Sequence, residues 1–251
     1  MKAKRVLLEC RLTRERERLG LSTFGQYLDM IESEQNTTAR TQFINLVTTH
    51  YTYFMRESSQ FSFIRDTVLP ELLARRSHRP WRFLCAGCST GDECYSLSMI
   101  VEDFAKLHPL PDVTITGVDI SESVLAEARI GRYPESHIER APRHWRMGYF
   151  KPDGYGYVVR DQIRNRVRFY RANLTEPEAL RRTYDLILCR NTIIYFEDAV
   201  KQRVITTLHQ HLIDEGYLIL GHAEIVRDRT RFAYQGDSIY RKLKHTGAIH
   251  Q

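Results

Sequence analysis

The chain has 251 residues, 42% hydrophobic and 27% charged, a length for one large core with at most a small appendage and a composition that excludes disorder as the default. No apolar run reaches the roughly 18 residues that cross a bilayer, and residues 1–9 lack the apolar centre and cleavage site of a signal peptide, so a cytoplasmic protein is expected; five cysteines, Cys10, Cys85, Cys88, Cys94 and Cys189, read as reduced thiols. Of the formal net charge of +6, residues 1–20 supply +4, seven bases (Lys2, Lys4, Arg5, Arg11, Arg14, Arg16, Arg18) minus three acids (Glu9, Glu15, Glu17), which suits either a solvated helix face or a docking surface for an acidic partner.

Residues 1–75 read as helices. Gly20 ends the first, basic one. Phe24, Tyr27, Leu28 and Ile31 then fall at i, i+3, i+4 and i+7, one amphipathic stripe, with Ser22 or Thr23 available as N-cap. Further helices are expected near 39–48 and 58–75. The polar break Ser77-His78-Arg79-Pro80 sets a domain boundary, giving a helical N-terminal domain over 1–76 and a second domain over 77–251.

From residue 81 short apolar runs alternate with amphipathic ones. Trp81–Ala86, Val113–Val118, Val167–Arg171, Tyr184–Cys189 and Tyr217–Leu220 read as buried strands, with helices near 93–107, 121–130 and 197–213. That alternation predicts an α/β fold with a doubly wound, mostly parallel sheet. One segment interrupts it. Lys151-Pro152-Asp153-Gly154, followed by aromatic and β-branched residues, reads as a turn feeding a strand, so a small antiparallel β insertion is expected over about 134–165.

Ligands of doubly wound sheets bind beyond the carboxyl ends of the strands, and the first strand-to-helix turn is the usual contact. Here it is Ala86-Gly87-Cys88-Ser89-Thr90-Gly91-Asp92-Glu93. It lacks both the Gly-Lys-Ser/Thr ending and the Gly-x-Gly-x-x-Gly spacing of nucleotide phosphate loops. At the end of the next strand Asp119 suits a ribose diol, although taken alone it is equally an N-cap for the helix after Ser121. At the fourth strand's tip, Asn191 and Tyr195 are explained less well by core packing than Ile193, Ile194 and Phe196. Cys85-x-x-Cys88 has no second pair to complete a metal site, and His222 reads as a structural hydrogen-bonding group.

Five words of sequence now stand together: Leu46-Val47-Thr48-Thr49-His50-Tyr51-Thr52-Tyr53-Phe54-Met55-Arg56-Glu57, Ser89-Thr90-Gly91-Asp92-Glu93-Cys94-Tyr95-Ser96, Val118-Asp119-Ile120, Cys189-Arg190-Asn191 through Tyr195-Phe196, and Gly221-His222-Ala223-Glu224. In order and spacing the chain resembles the chemotaxis receptor glutamate methyltransferases, the CheR type, from Arg11 onward. The resemblance implies a Rossmann-like methyltransferase fold and S-adenosyl-L-methionine as cofactor, with S-adenosyl-L-homocysteine as product. It implies that Glu93, Asp119, Asn173, Leu174 and Asn191 face the cofactor, with Ala86, Gly87 and Thr90 of the turn, and that Thr52, Arg56 and Tyr195 surround the transferable methyl. The insertion then looks like the family's small β-subdomain, which in some members tethers a receptor's C-terminal peptide. The chain departs from the family's usual residues at Cys94 (Pro), Asp92 (Glu) and Ala223 (Ser), and its N-terminal helical region is shorter.

The activity implied is a protein-glutamate O-methyltransferase acting on cytoplasmic helices of methyl-accepting chemoreceptors, peripheral to the membrane only through those receptors and with no nucleic-acid partner. Two other readings stand beside it: a methyltransferase with a different acceptor, and a non-catalytic module that senses S-adenosylmethionine. Glutamate carboxylates are already ionised at neutral pH, so the task is alignment rather than base catalysis. Arg56 suits it because a guanidinium grips a carboxylate in a fixed fork.

Overall fold

A computed structural model of the chain describes residues 2–33, 36–48, 50–75, 79–154, 156–176 and 178–244. Ser77 and His78 of the expected break, Thr49, Tyr155 and the side chains of Lys2, Lys4 and Arg5 lie outside the described residues. The chain forms two compact units, Met1–Tyr51 with Ser121–Ser123, and Thr52–Ile120 with Val124–Gln251.

The smaller unit holds α1 (Lys2–Arg18), α2 (Phe24–Glu32) and α3 (Thr37–Val47). Gly20 ends α1 in a left-handed conformation, φ 69°, with Leu21 donating to the Arg16 carbonyl and Gly20 to that of Glu17, the paired closure that glycine permits. Thr23 caps α2 reciprocally with Gln26. Only half of the expected stripe is buried: Tyr27 and Ile31 are inside, whereas Phe24 and Leu28 are exposed. Arg11 donates to the carbonyls of Leu46 and Thr48 at 3.0 and 3.3 Å, satisfying acceptors at the α3 C-terminus.

In the larger unit, α4 (Ser58–Phe63), a π-turn (Ile64–Val68) and α5 (Leu69–Ala74) precede β1 (Trp81–Ala86). Pro70 has no N–H for the ordinary helical bond, and the widened turn lies immediately before it. The segment 52–76, expected with the N-terminal helices, divides differently: its described part from Thr52 belongs to the larger unit, because Phe54, Phe61, Ile64, Val68, Leu69 and Leu72 are buried in that unit's core.

There follow α6 (Asp92–Ala105), β2 (Val113–Asp119), α7 (Glu122–Ile130), β3 (Arg132–Tyr133), α8 (Glu135–Ile138), α9 (Arg143–Gly148), β4 (Phe150–Asp153), β5 (Gly156–Val159), α10 (Asp161–Arg164), β6 (Val167–Arg171), β7 (Tyr184–Cys189), a 3-10 turn (Ile193–Tyr195), α11 (Asp198–His211), β8 (Leu212–Leu220), β9 (Phe232–Gly236) and β10 (Ile239–Lys242). The main sheet runs β6-β2-β1-β7-β8-β10-β9. Its first five strands are parallel, and β10 is antiparallel to both neighbours. Phe83 and Cys85 join one buried cluster while Leu84 and Ala86 join the other, as in a sheet covered on both faces. The fold is thus the doubly wound, mostly parallel sheet expected.

Beyond the expected strands, β9 and β10 form a hairpin at the sheet's edge. Its two-residue loop, Asp237 and Ser238, has φ of 50° and 58°, a primed turn made without the Asn-Gly or Asp-Gly pair that announces one. The insertion folds as a three-stranded antiparallel sheet, β3-β5-β4, with the turn at Gly154 where Pro152-Asp153-Gly154 placed it.

Candidate active site

The chain passes from β1 to β2 and β6 on one side and to β7 and β8 on the other, so the strand order reverses at β1 and β7 and opens a crevice beyond their carboxyl ends. The turn after β1 is built on two glycines in the left-handed region, Gly87 at φ 78° and Gly91 at φ 88°. A Cβ on Gly87 would lie 2.1 Å from Thr192 Oγ1, so the β1 and β7 turns touch where only hydrogen fits. Ser89 N–H donates to Asp119 Oδ2 at 2.9 Å. Asp119 thereby ties the first turn to the end of β2.

The turn after β7 is fixed by a buried carboxylate. Glu224 accepts N–H bonds from Asn191 and Gly221 at 2.8 Å and from Ile194 at 3.0 Å; burial holds its carboxyl above the usual range and these bonds offset that only in part. Asn191 sits at φ 55°, and a Cβ on Gly221 would come within 2.6 Å of its Nδ2. The Gly221-His222-Ala223-Glu224 word is therefore a clamp on Asn191. His222, read as structural, pairs with Asp237 at 2.7 Å.

Between these turns lies Arg190, whose side chain is 2% exposed. It donates to Glu93 at 3.1 Å, to Glu57 at 3.3 Å and to the main-chain carbonyl of Arg56, and it lies over the Phe61 ring. Asn191 Nδ2 also reaches Glu57, at 3.3 Å. Burial pushes the Glu93 carboxyl up and the Arg190 charge pulls it back. Arg56 stands between two residues in left-handed backbone, Met55 at φ 60° and Glu57 at φ 56°. Such strain persists where surroundings over-determine it, and here Met55 N–H is anchored on Ser96 of α6 at 3.1 Å.

The arrangement brings Arg56, Glu93 and Asn191 together through Arg190, and Asp119 against the turn of Gly87 and Thr90. Other candidates are engaged locally. Asn173 bonds Thr175 and Glu176 through its side chain, and the Thr90 hydroxyl donates to Asp92 at 2.7 Å, which leaves a second Asn173 amide hydrogen and the Thr90 hydroxyl lone pairs. Ala86 and Leu174 are buried in the core. Tyr195 is 50% exposed on the 3-10 turn, and Thr52 is half-buried at the start of the larger unit. Arg190, Glu57 and Glu224 complete the site beyond the residues the sequence points to; all three lie inside the quoted words, and the charged Arg190 directly after the apolar β7 run is the signal available in sequence.

Two carboxylates stand at this end of the sheet, Glu93 on Arg190 at 3.1 Å and Asp119 on the Ser89 N–H at 2.9 Å, the residue types that suit a cationic ligand carrying a ribose diol. Cys85, Cys88, Cys94 and Cys189 are buried free thiols, and burial pushes Cys85 up to about 11. Among the described residues no group of three or more His, Cys, Asp or Glu side chains is arranged to hold a metal ion, and no helix is long and apolar enough to cross a membrane.

Comparison with known proteins gives one consistent result. The family described as CheR methyltransferase, SAM binding domain, matches residues 50–240. Chemotaxis protein methyltransferases of Borreliella burgdorferi and Salmonella typhimurium are 30% and 32% identical, over 95% and 94% of this chain and 87% and 82% of their own. Chemotaxis protein methyltransferase 1 of Pseudomonas aeruginosa is 32% identical over 90% of this chain and 84% of its own.

Proposed function

The chain belongs to the CheR methyltransferase family, and from that premise we propose that it is a protein-glutamate O-methyltransferase, which esterifies glutamate side chains on the cytoplasmic helices of chemoreceptors. S-adenosylmethionine, the family's cofactor, supplies an electrophilic methyl on a sulfonium. Glu93, Asp119 and Asn191, with Ala86, Gly87, Thr90, Asn173 and Leu174, hold it. Arg56 grips the acceptor carboxylate, and Thr52 and Tyr195 wall the path.

The observation that carries this reading is the Arg190 hub, which fastens the main chain of Arg56 to Glu93 and Glu57 in one buried network. That bond holds the backbone from which Arg56 extends, and the Arg56 charge lies close enough to lower the Glu93 carboxyl, which supports a guanidinium gripping an acceptor beside it. No general base is required, since the acceptor carboxylate is ionised at neutral pH. What the residues supply is alignment, worth up to roughly 7–11 kcal/mol in favourable cases. A guanidinium on the nucleophile lowers its reactivity, so orientation has to outweigh that loss.

The test is incubation with S-adenosylmethionine carrying a tritiated methyl and receptor-rich membranes, followed by alkali. Carboxyl methyl esters release volatile methanol, and that release is the expected result. Label that survives alkali would move the acceptor to nitrogen or another atom, and absence of any transfer would leave a cofactor-sensing module.

A further inference from the structure

Thr90-Gly91-Asp92 joins the glycine turn to α6, and two residues of the β insertion hold both of its ends. Tyr133 OH donates to the Thr90 carbonyl at 2.6 Å, and His137 Nδ1 lies 2.9 Å from Asp92 Oδ1. Within the segment the Thr90 hydroxyl bonds the other Asp92 oxygen. Asp92 is fully buried, and His137 is its ion-pair partner among the described residues; a buried carboxylate that loses such a partner is strongly disfavoured. The Tyr133 ring is itself fixed edge-on against Phe54, 4.9 Å between centroids, and stacks on the His137 ring.

We propose that Tyr133 and His137 are positioning residues for the cofactor: the insertion holds Thr90 and Asp92 in the geometry that S-adenosylmethionine binding needs, and the His137–Asp92 ion pair makes that hold depend on the charge of the imidazole. This rests on the reading that the glycine turn contacts the cofactor. His137 is faced by Asp92 from α6, by Glu127 from α7 and by the Tyr133 ring. The hydrogen bond with Asp92 raises the imidazole above its ordinary pKa, burial opposes this, and the charges of Asp92 and Glu127 assist it. A raised folded value means that the pair is fully formed below about 6.5, the ordinary imidazole value, and weakens as pH rises through the raised one.

Calorimetry of the whole chain with S-adenosylhomocysteine, at about pH 6 and about pH 8.5, reads this directly. The wild-type Kd is expected to rise several-fold with pH. His137→Gln, which keeps a neutral donor, is expected to bind about ten-fold more weakly at the lower pH, the worth of one charged hydrogen bond, and to lose the pH dependence. Tyr133→Phe removes a single hydroxyl; it should weaken binding at both pH values and keep the wild-type profile. Should His137→Gln fail to fold, as thermal unfolding would report, the Tyr133→Phe titration and the wild-type profile decide. A flat wild-type profile, a His137→Gln profile equal to the wild type, or an unchanged Kd in Tyr133→Phe would overturn the proposal. A wild type that takes up no S-adenosylhomocysteine at either pH would instead remove the cofactor reading beneath it.

Discussion

Arg190 donates to the main-chain carbonyl of Arg56, a bond across 134 positions of sequence that fastens a strained segment to the tip of a central strand. With its side chain 2% exposed, Arg190 bonds the carboxylates of both Glu57 and Glu93 and offsets the repulsion between two acids in a low-dielectric site. Arg190→Ala is expected to destabilise the fold by about 3–5 kcal/mol, the range for removing one partner of a buried pair, measured by denaturant unfolding. Arg190→Lys should recover little, because one ammonium cannot span three acceptors. Wild-type stability in the alanine variant would show that the network is not closed in solution.

Arg56 and Asp119 should fail in different ways. Arg56→Ala leaves Glu93, Asn191 and the glycine turn in place, so S-adenosylhomocysteine affinity should stay near wild type while methyl transfer collapses, and Arg56→Lys should restore little of it. Asp119→Ala should weaken the same affinity by about ten-fold or more. Its loss also frees Ser89 N–H, so the turn loosens together with the ribose acceptor. A normal turnover for Arg56→Ala would remove it from the catalytic set.

Acid stability should report Asp103. Burial works to raise this carboxyl, but hydrogen bonds from Tyr149, Trp145, Lys106 and His144 outweigh it and hold it at about 2. A depressed folded pKa contributes stability that is present above the unfolded value, about 3.9, and is lost as pH falls toward the folded one. Thermal unfolding should therefore drop between about pH 4 and about pH 2, and Asp103→Asn should lower stability at neutral pH and flatten that limb. An Asp103→Asn variant with the wild-type acid limb would assign the drop to other carboxylates.

The basic N-terminal helix calls for separated tests. Arg11 is bonded to the carbonyls of Leu46 and Thr48 and Arg18 to Glu15, whereas Arg14 is exposed. Arg11→Glu should lower thermal stability of the helical unit. Arg14→Glu should leave stability unchanged and raise KM for receptor membranes, with the wild-type rate falling as salt rises. Equal KM values for Arg14→Glu and wild type at low salt would make that face merely solvated.

The sequence by itself determined the alternation of strands and helices, the glycine turn, the acid at the end of β2 and the Pro152-Asp153-Gly154 hairpin, because each is written in neighbouring residues: periodicity, a turn that needs positive φ, a strand tip. The β9–β10 hairpin escaped because its loop positions, Asp237 and Ser238, take positive φ without the Asn-Gly or Asp-Gly pair there that announces such a turn. Which face of α2 is buried, where the larger unit begins and what Arg190 joins were decided by tertiary packing. Glu57, Glu93 and Arg190 form one network only after the sheet reverses at β1 and β7 and brings residues 133 positions apart within 3.3 Å, and no local propensity encodes a distance of that kind. The same holds for His137 and Asp92, 45 positions apart, where the polar requirement of a buried carboxylate is visible only once its burial is known.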